Sequence, residues 1–187
     1  MKPTAPTSPA ARADAVMAGA EQGTGPEIVP PIHKSVMVRS DRDHVFDVFV
    51  REIGQWWPTS SHSLGTAEVV SVTVERHVGG RVYETDADGT ECSWGKVLAW
   101  EPPERFAMTW ESTRYEHGAP ERRLSPDGAV TEVELRFLAL GPALTRVELE
   151  HRGWERLSPD LARRYPGSYT AGWSLILDRL AAHAEGR

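Results

Sequence analysis

From about residue 69 to residue 152 the apolar residues alternate with polar ones, and a helix cannot bury such a pattern on one side. In "AEVVSVTVER", Val70, Val72 and Val74 share one face. "GGRVYETDADGTECSW" reads as a hairpin turned at Asp88-Gly89. After Pro102-Pro103 breaks the next pair, Phe106, Met108 and Trp110 fall on one side of a strand. "VTEVELRFLAL" sets Val133, Leu135 and Phe137 against Glu132, Glu134 and Arg136. "TRVELEHRGW" repeats the device with Val147, Leu149 and His151. These are half-buried antiparallel strands, about six in a row.

Helical spacing frames the run at both ends. Ile32, Val36 and Val38 suit a first strand, although Met37 blurs the alternation. In "SDRDHVFDVF", Ser40 is placed to cap, with Asp43 three residues on as an acidic variant of the capping box. Val45, Phe46, Phe49 and Ile53 then recur at helical spacing up to Pro58, a stretch that predicts two short helices. Near the C-terminus, Ser158-Pro159-Asp160 starts a helix that Pro166-Gly167 is expected to interrupt. A longer helix follows from about Ser168, with Tyr169, Trp173, Ile176 and Leu180 on one stripe. Strands and helices are segregated, so the fold class is α+β, with the long C-terminal helix laid on one face of a bent antiparallel sheet.

Residues 1–30 are rich in Pro, Ala, Thr and Gly and read as a disordered N-terminal tail, so the folded domain is 31–187. A formal net charge of −6 disfavours nucleic acid and anionic membrane surfaces as partners. No apolar run approaches a membrane span, so membrane insertion is not expected, and the tail lacks a secretory signal. Cys92 is the single cysteine, which excludes an intrachain disulfide and a multi-thiolate zinc site. The cytoplasm is the expected location. "ETDADG" resembles a calcium loop, but Gly95 stands at the twelfth position where a bidentate Glu is required. Glu84, Asp86 and Asp88 therefore read as a solvated turn, and no metal site is expected. The chain has no nucleophile elbow, metal-binding histidine pair or phosphate loop, and nothing calls for a cofactor.

The stretches "GGRVYE", "DG" and "WGKVLAWEPPERFAMTW", with "TRVELEHRGWE" and "YTAGWSLILDRL", resemble the bacterial Hsp90-ATPase-activator-homologue branch of the START-like (SRPBCC, Bet v 1-like) superfamily. The resemblance spans roughly residues 31–184. It implies a helix-grip fold, a curved sheet wrapped around the terminal helix with a cavity between them. Superfamily members bind lipids, sterols, polyketides or hormone-like molecules, and some catalyse cyclisation. The partner implied is thus a small hydrophobic molecule. A cyclase or aromatase is the alternative, and a chaperone partner, suggested by the branch name, ranks last. Nothing in the residues speaks to oligomeric state.

Within that fold the candidate ligand-pocket residues are Trp94, Met108, Trp110, His151, Tyr169 and Trp173. Indole rings wall cavities well, and they also simply fill cores. Trp94 shares parity with Cys92, Leu98 and Trp100 if no bulge intervenes at Gly95, and Trp100 reads as core. His151, on the inward parity of the last strand, suits a ligand hydrogen bond or a general base. The plainer alternative is a capped strand end in which His151 or Arg152 pairs with a carboxylate. Tyr169 is the polar partner proposed for His151, and these two are the only catalytic candidates. The polar segment 112–128 is either a lid over the pocket mouth or a connecting loop.

Overall fold

A computed structural model describes residues 29–65, 67–111 and 130–187 of the chain. All but two residues of the expected tail, and the whole 112–128 segment, lie outside the described residues. The strands are β1 (Ile32–Val38), β2 (Val69–Val74), β3 (Arg81–Asp86), β4 (Glu91–Glu101), β5 (Arg105–Trp110), β6 (Thr131–Gly141) and β7 (Leu144–Arg152). They form one curled antiparallel sheet in the order β1-β7-β6-β5-β4-β3-β2. Helices α1 (Arg42–Arg51) and α2 (Ile53–Trp56) link β1 to β2, and the long helix α3 (Pro159–Ala184) closes the chain. This is the α+β helix-grip architecture. Among the described residues, no helix is long and apolar enough to cross a membrane.

Strand alternation decides which side chains enter the concave face. On β7, Thr145, Val147, Leu149 and His151 are buried while their neighbours are half-buried. On β6, Val133, Leu135 and Phe137 join them. Phe46 and Phe49 of α1 pack edge-on against Phe137 and Phe106, with ring centroids 5.2 and 5.4 Å apart. Leu177, Leu180, Ala181 and Ala184 bury the far end of α3 in the same core. Trp100 is half-buried and packs on that core, 5.5 Å from Phe46, centroid to centroid.

The outer face is charged. Glu134 is nearly buried there and pairs with Arg105, Arg136 and Arg152 at 3.1, 2.6 and 3.4 Å. Burial opposes its ionisation, yet the three guanidiniums outweigh it and hold the carboxyl below its ordinary value.

Three expectations need correction, and for Leu98 the stated condition of a bulge-free strand at Gly95 is not met. The α1 cap is Asp41, whose side chain accepts from the His44 N–H at 2.9 Å; Ser40 lies one residue outside, where its carbonyl accepts from Thr145. Val70 is exposed, because the pairing of β2 with β3 skips it and turns it away from Val72 and Val74. Leu98 is exposed as well, because bulges at Trp94-Gly95 and at Leu98 reset the phase of β4. Finally, α3 runs unbroken through Pro166. The buried side chains of Ala162 and Trp173 hold both halves of α3 to the fold, which offsets the roughly 3 kcal/mol penalty of an interior proline.

Candidate functional site

The bulge at Gly95 positions the first wall of the site. Val82 pairs with Gly95 and Tyr83 with Ser93, so Trp94 is the unpaired residue and keeps the inward face it shares with Cys92. Gly95 adopts φ +152°, and a Cβ there would run into the Thr109 carbonyl. Only glycine meets both demands at this position. Trp110 ends β5 beside it, Trp173 descends from α3, and Trp57 caps α2.

The four indoles close on one another. Trp57 lies 4.7 Å from Trp94, Trp94 6.1 Å from Trp110, Trp110 5.0 Å from Trp173, and Trp173 6.3 Å from Trp57, centroid to centroid. Each ring N–H is bound within the protein. Trp57 donates to the His62 carbonyl (2.7 Å) and Trp94 to Glu84 Oε2 (2.9 Å). Trp110 donates to the Tyr169 hydroxyl (3.2 Å) and Trp173 to His151 Nδ1 (2.9 Å). The rings therefore present carbon, not donors, to the space they enclose.

Beside these rings, open to solvent on one side, lies a cavity of about 340 Å3. Trp94, Trp110, Tyr169 and Trp173 line it, as do Trp57, Tyr165 and Ile176. Its polar lining comes from Ser61, His62, Ser63, Glu111 and Ser168, and exposed Ser61 and Ser168 mark the mouth. Met108 lies deeper, in a second void of about 10 Å3 shared with Trp94, Trp110 and Trp173, no larger than one water requires. Cavities that take ordinary ligands begin at about 300 Å3.

His151 is brought to the cluster but stands behind the wall, outside the lining. Its ring is fully buried. Nδ1 accepts from Trp173, which can only donate, so in the neutral ring Nε2 carries the proton and donates to Thr131 Oγ1 at 2.7 Å. Thr131 in turn donates to the Trp110 carbonyl at 3.3 Å. Burial lowers the His151 pKa from 6.5 to about 3, so the ring stays neutral. Tyr169 meets His151 edge-on at 5.0 Å, while its hydroxyl accepts from Trp110. Carboxylate pairing falls instead to Arg152, which reaches Glu132, Glu134 and Glu150 on the outer face.

Glu84 and Asp86 correct a further expectation. They are buried, not part of a solvated turn, because they share the inward parity of Val82 on β3. Glu84 accepts from the Trp94 indole and from the backbone N–H groups of Leu64 and Gly65, fastening the 61–65 loop to the sheet. Among the described residues, no group of three or more His, Cys, Asp or Glu is arranged to hold a metal ion. Sequence reasoning missed Trp57, Glu84 and the loop around His62. Only Glu84 left a signal there, its parity with Val82.

The sequence profile of the family "Activator of Hsp90 ATPase homolog 1-like protein" matches residues 39–185. Among solved structures, the anthrahydroquino-gamma-pyrone synthase Txn09 is 34% identical, with 84% of this chain covering 98% of that one at a TM-score of 0.52. CalC, a self-sacrificing resistance protein from Micromonospora echinospora, is 26% identical over 84% of this chain and 96% of its own, at 0.59. The Aha1 protein of Colwellia psychrerythraea shares the fold at 13% identity, covering 83% and 96%, with a TM-score of 0.55. No curated protein matches the chain.

Proposed function

We propose that this chain, which belongs to the Activator of Hsp90 ATPase homolog 1-like family, binds a small ring-containing hydrophobic molecule between its curved sheet and α3. The observation that carries this reading is the 340 Å3 cavity walled by four indoles whose N–H groups are already occupied. An apolar cavity of about 150 Å3 suffices for benzene, so this one has room for a body of about two fused rings. Trp94, Trp110, Tyr169 and Trp173 would touch the ligand, Met108 would sit beneath it, and His151 would hold Trp173 in place.

Tryptophan emission tests the reading directly, because four of the seven indoles surround the cavity. A panel of polycyclic phenols, sterols and fatty acids should include compounds that shift or quench emission and raise the melting temperature. If every compound leaves both unchanged, the reading fails.

A second reading, cyclisation or aromatisation of such a ligand, is favoured by the similarity to the Txn09 synthase. Tyr169 would be the proton-transfer group, since its hydroxyl belongs to a lining residue. His151 would serve as a positioning residue, because both its nitrogens are engaged. Full turnover by a Tyr169→Phe variant, on any compound the wild type converts, would refute that role. A chaperone-regulating role has only the family name and a fold-level likeness behind it.

A further inference from the structure

We infer that the cavity selects for a cation, namely a ring compound bearing a protonated amine or a quaternary ammonium; the inference rests on the ligand-binding reading above. Three independent observations converge on it.

The first is the wall. With all four indole N–H groups directed to protein acceptors, the rings offer the cavity aromatic carbon and no donor, and the faces of such rings carry the negative end of the quadrupole. Tyr165 and Tyr169 extend that surface along α3. A cation placed within about 6 Å of several such rings is attracted by each of them.

The second is the placement of acidic groups. Glu111 lies on the cavity lining directly after Trp110, and its backbone N–H is fixed to the Trp94 carbonyl at 2.9 Å. That bond fixes the Glu111 backbone beside Trp94 and makes Glu111 the acidic residue of the cavity lining. Glu84 accepts the Trp94 N–H, which raises the electron density of a ring that belongs to the cavity lining. An indole donating to a carboxylate is a better partner for a cation than one donating to a neutral carbonyl.

The third is where the basic groups go. Among the described residues that line the cavity, none is Lys or Arg. Arg105, Arg136, Arg152 and Arg156 are instead engaged in ion pairs on the outer face of the sheet. An anionic ligand would meet ring faces and Glu111 without a described countercharge. A neutral ligand would gain from buried area and from hydrogen bonds to the polar lining, without a Coulombic contribution. A cation gains from area, rings and carboxylate together, and the formal net charge of −6 steers it inward.

Three probes of matched shape separate these cases: 2-naphthylmethanol, (2-naphthylmethyl)trimethylammonium and 2-naphthoate. Each is titrated calorimetrically into the full chain at pH 7.5 and low ionic strength. The ammonium probe should bind at least about fivefold more tightly than the alcohol, and the naphthoate more weakly than either. In Glu111→Gln the ratio of ammonium to alcohol affinity should fall about threefold. Equal or tighter binding of the alcohol in the wild type overturns the cation preference while leaving the hydrophobic-ligand reading intact. Failure of all three probes to bind overturns both.

Discussion

Acid should weaken this fold through His151. The ring is fully buried, and protonation would place a charge there and abolish the Nδ1 acceptor that holds Trp173. Burial lowers the pKa from 6.5 to about 3, so the unfolded chain takes up this proton near pH 6.5 and the folded chain only near pH 3. Between those values the unfolded state binds more protons, which means stability falls as pH falls. The contribution is complete above about pH 6.5 and drains away down to about pH 3. At pH 5 the loss is about 2 kcal/mol, and at pH 4 about 3 kcal/mol. The pH 5 figure hardly changes for any folded value below about 4. Urea unfolding of the wild type and of His151→Asn at pH 7.5 and 5.0 isolates the effect. The variant should be weaker by about 1–3 kcal/mol at pH 7.5, because it disturbs the Trp173 and Thr131 bonds. The wild type should nevertheless lose about 2 kcal/mol more than the variant between the two pH values. All other titrating groups are common to both proteins and cancel in that difference. Equal losses in the two proteins would refute the reasoning.

Three further perturbations probe the frame of the site. Glu84→Ala strands three N–H donors, one from the Trp94 indole and two from the backbone; it should cost at least about 3 kcal/mol in urea unfolding, and Glu84→Gln distinctly less. Gly95→Ala combines an unfavourable φ with a collision against the Thr109 carbonyl, so a loss of about 2 kcal/mol or more and a red-shifted or broadened Trp emission are expected. Phe137→Ala removes a ring packed on both Phe46 and Phe49, and should lower stability by about 3–5 kcal/mol while leaving the cavity lining in place. A Phe137→Ala protein as stable as the wild type would contradict the packing described above.

How much of this was legible in the sequence depended on whether a strand was regular. On β7 the alternation is uninterrupted from Leu144 to Arg152, and it correctly turned His151 inward. On β2 a skipped residue sets Val70 apart from Val72 and Val74, and on β4 two bulges break the phase between Trp94 and Leu98, so neither position follows simple alternation. A bulge is a property of the pair of strands, so one strand read alone does not reveal it. Glu84 was misread for a different reason. Its partners are Trp94 and the backbone of Leu64 and Gly65, and a carboxylate with no visible partner is naturally assigned to solvent. Trp57 belongs to no periodic segment at all, so only the tertiary fold discloses that it faces Trp94.

The same limit bears on what kind of cavity this is. A run of tryptophans announces large apolar bodies, and each body also carries one donor whose direction no spacing rule supplies. Had the four N–H groups pointed inward, the cavity would have been built for acceptor-rich ligands such as carbonyls. Here His62, Glu84, Tyr169 and His151 each take one of them. Polar recognition is thereby left to the hydroxyls of Tyr165 and Tyr169 and to Ser61, His62, Ser63, Glu111 and Ser168. A neutral ligand must then enter apolar end first and keep its hydrogen-bonding substituent at the rim, because burying that group among rings without donors would forfeit its hydrogen bonds to water. Replacing His151 by Phe bears on this point, since it frees the Trp173 N–H from its acceptor. The freed donor would either turn toward the cavity or remain buried and unpaired. In the first case the variant should gain affinity for a naphthaldehyde over naphthalene relative to wild type, read by calorimetry; in the second it should only lose stability, by about 1–3 kcal/mol. A variant that does neither would show that the Trp173–His151 bond does not govern what the wall presents.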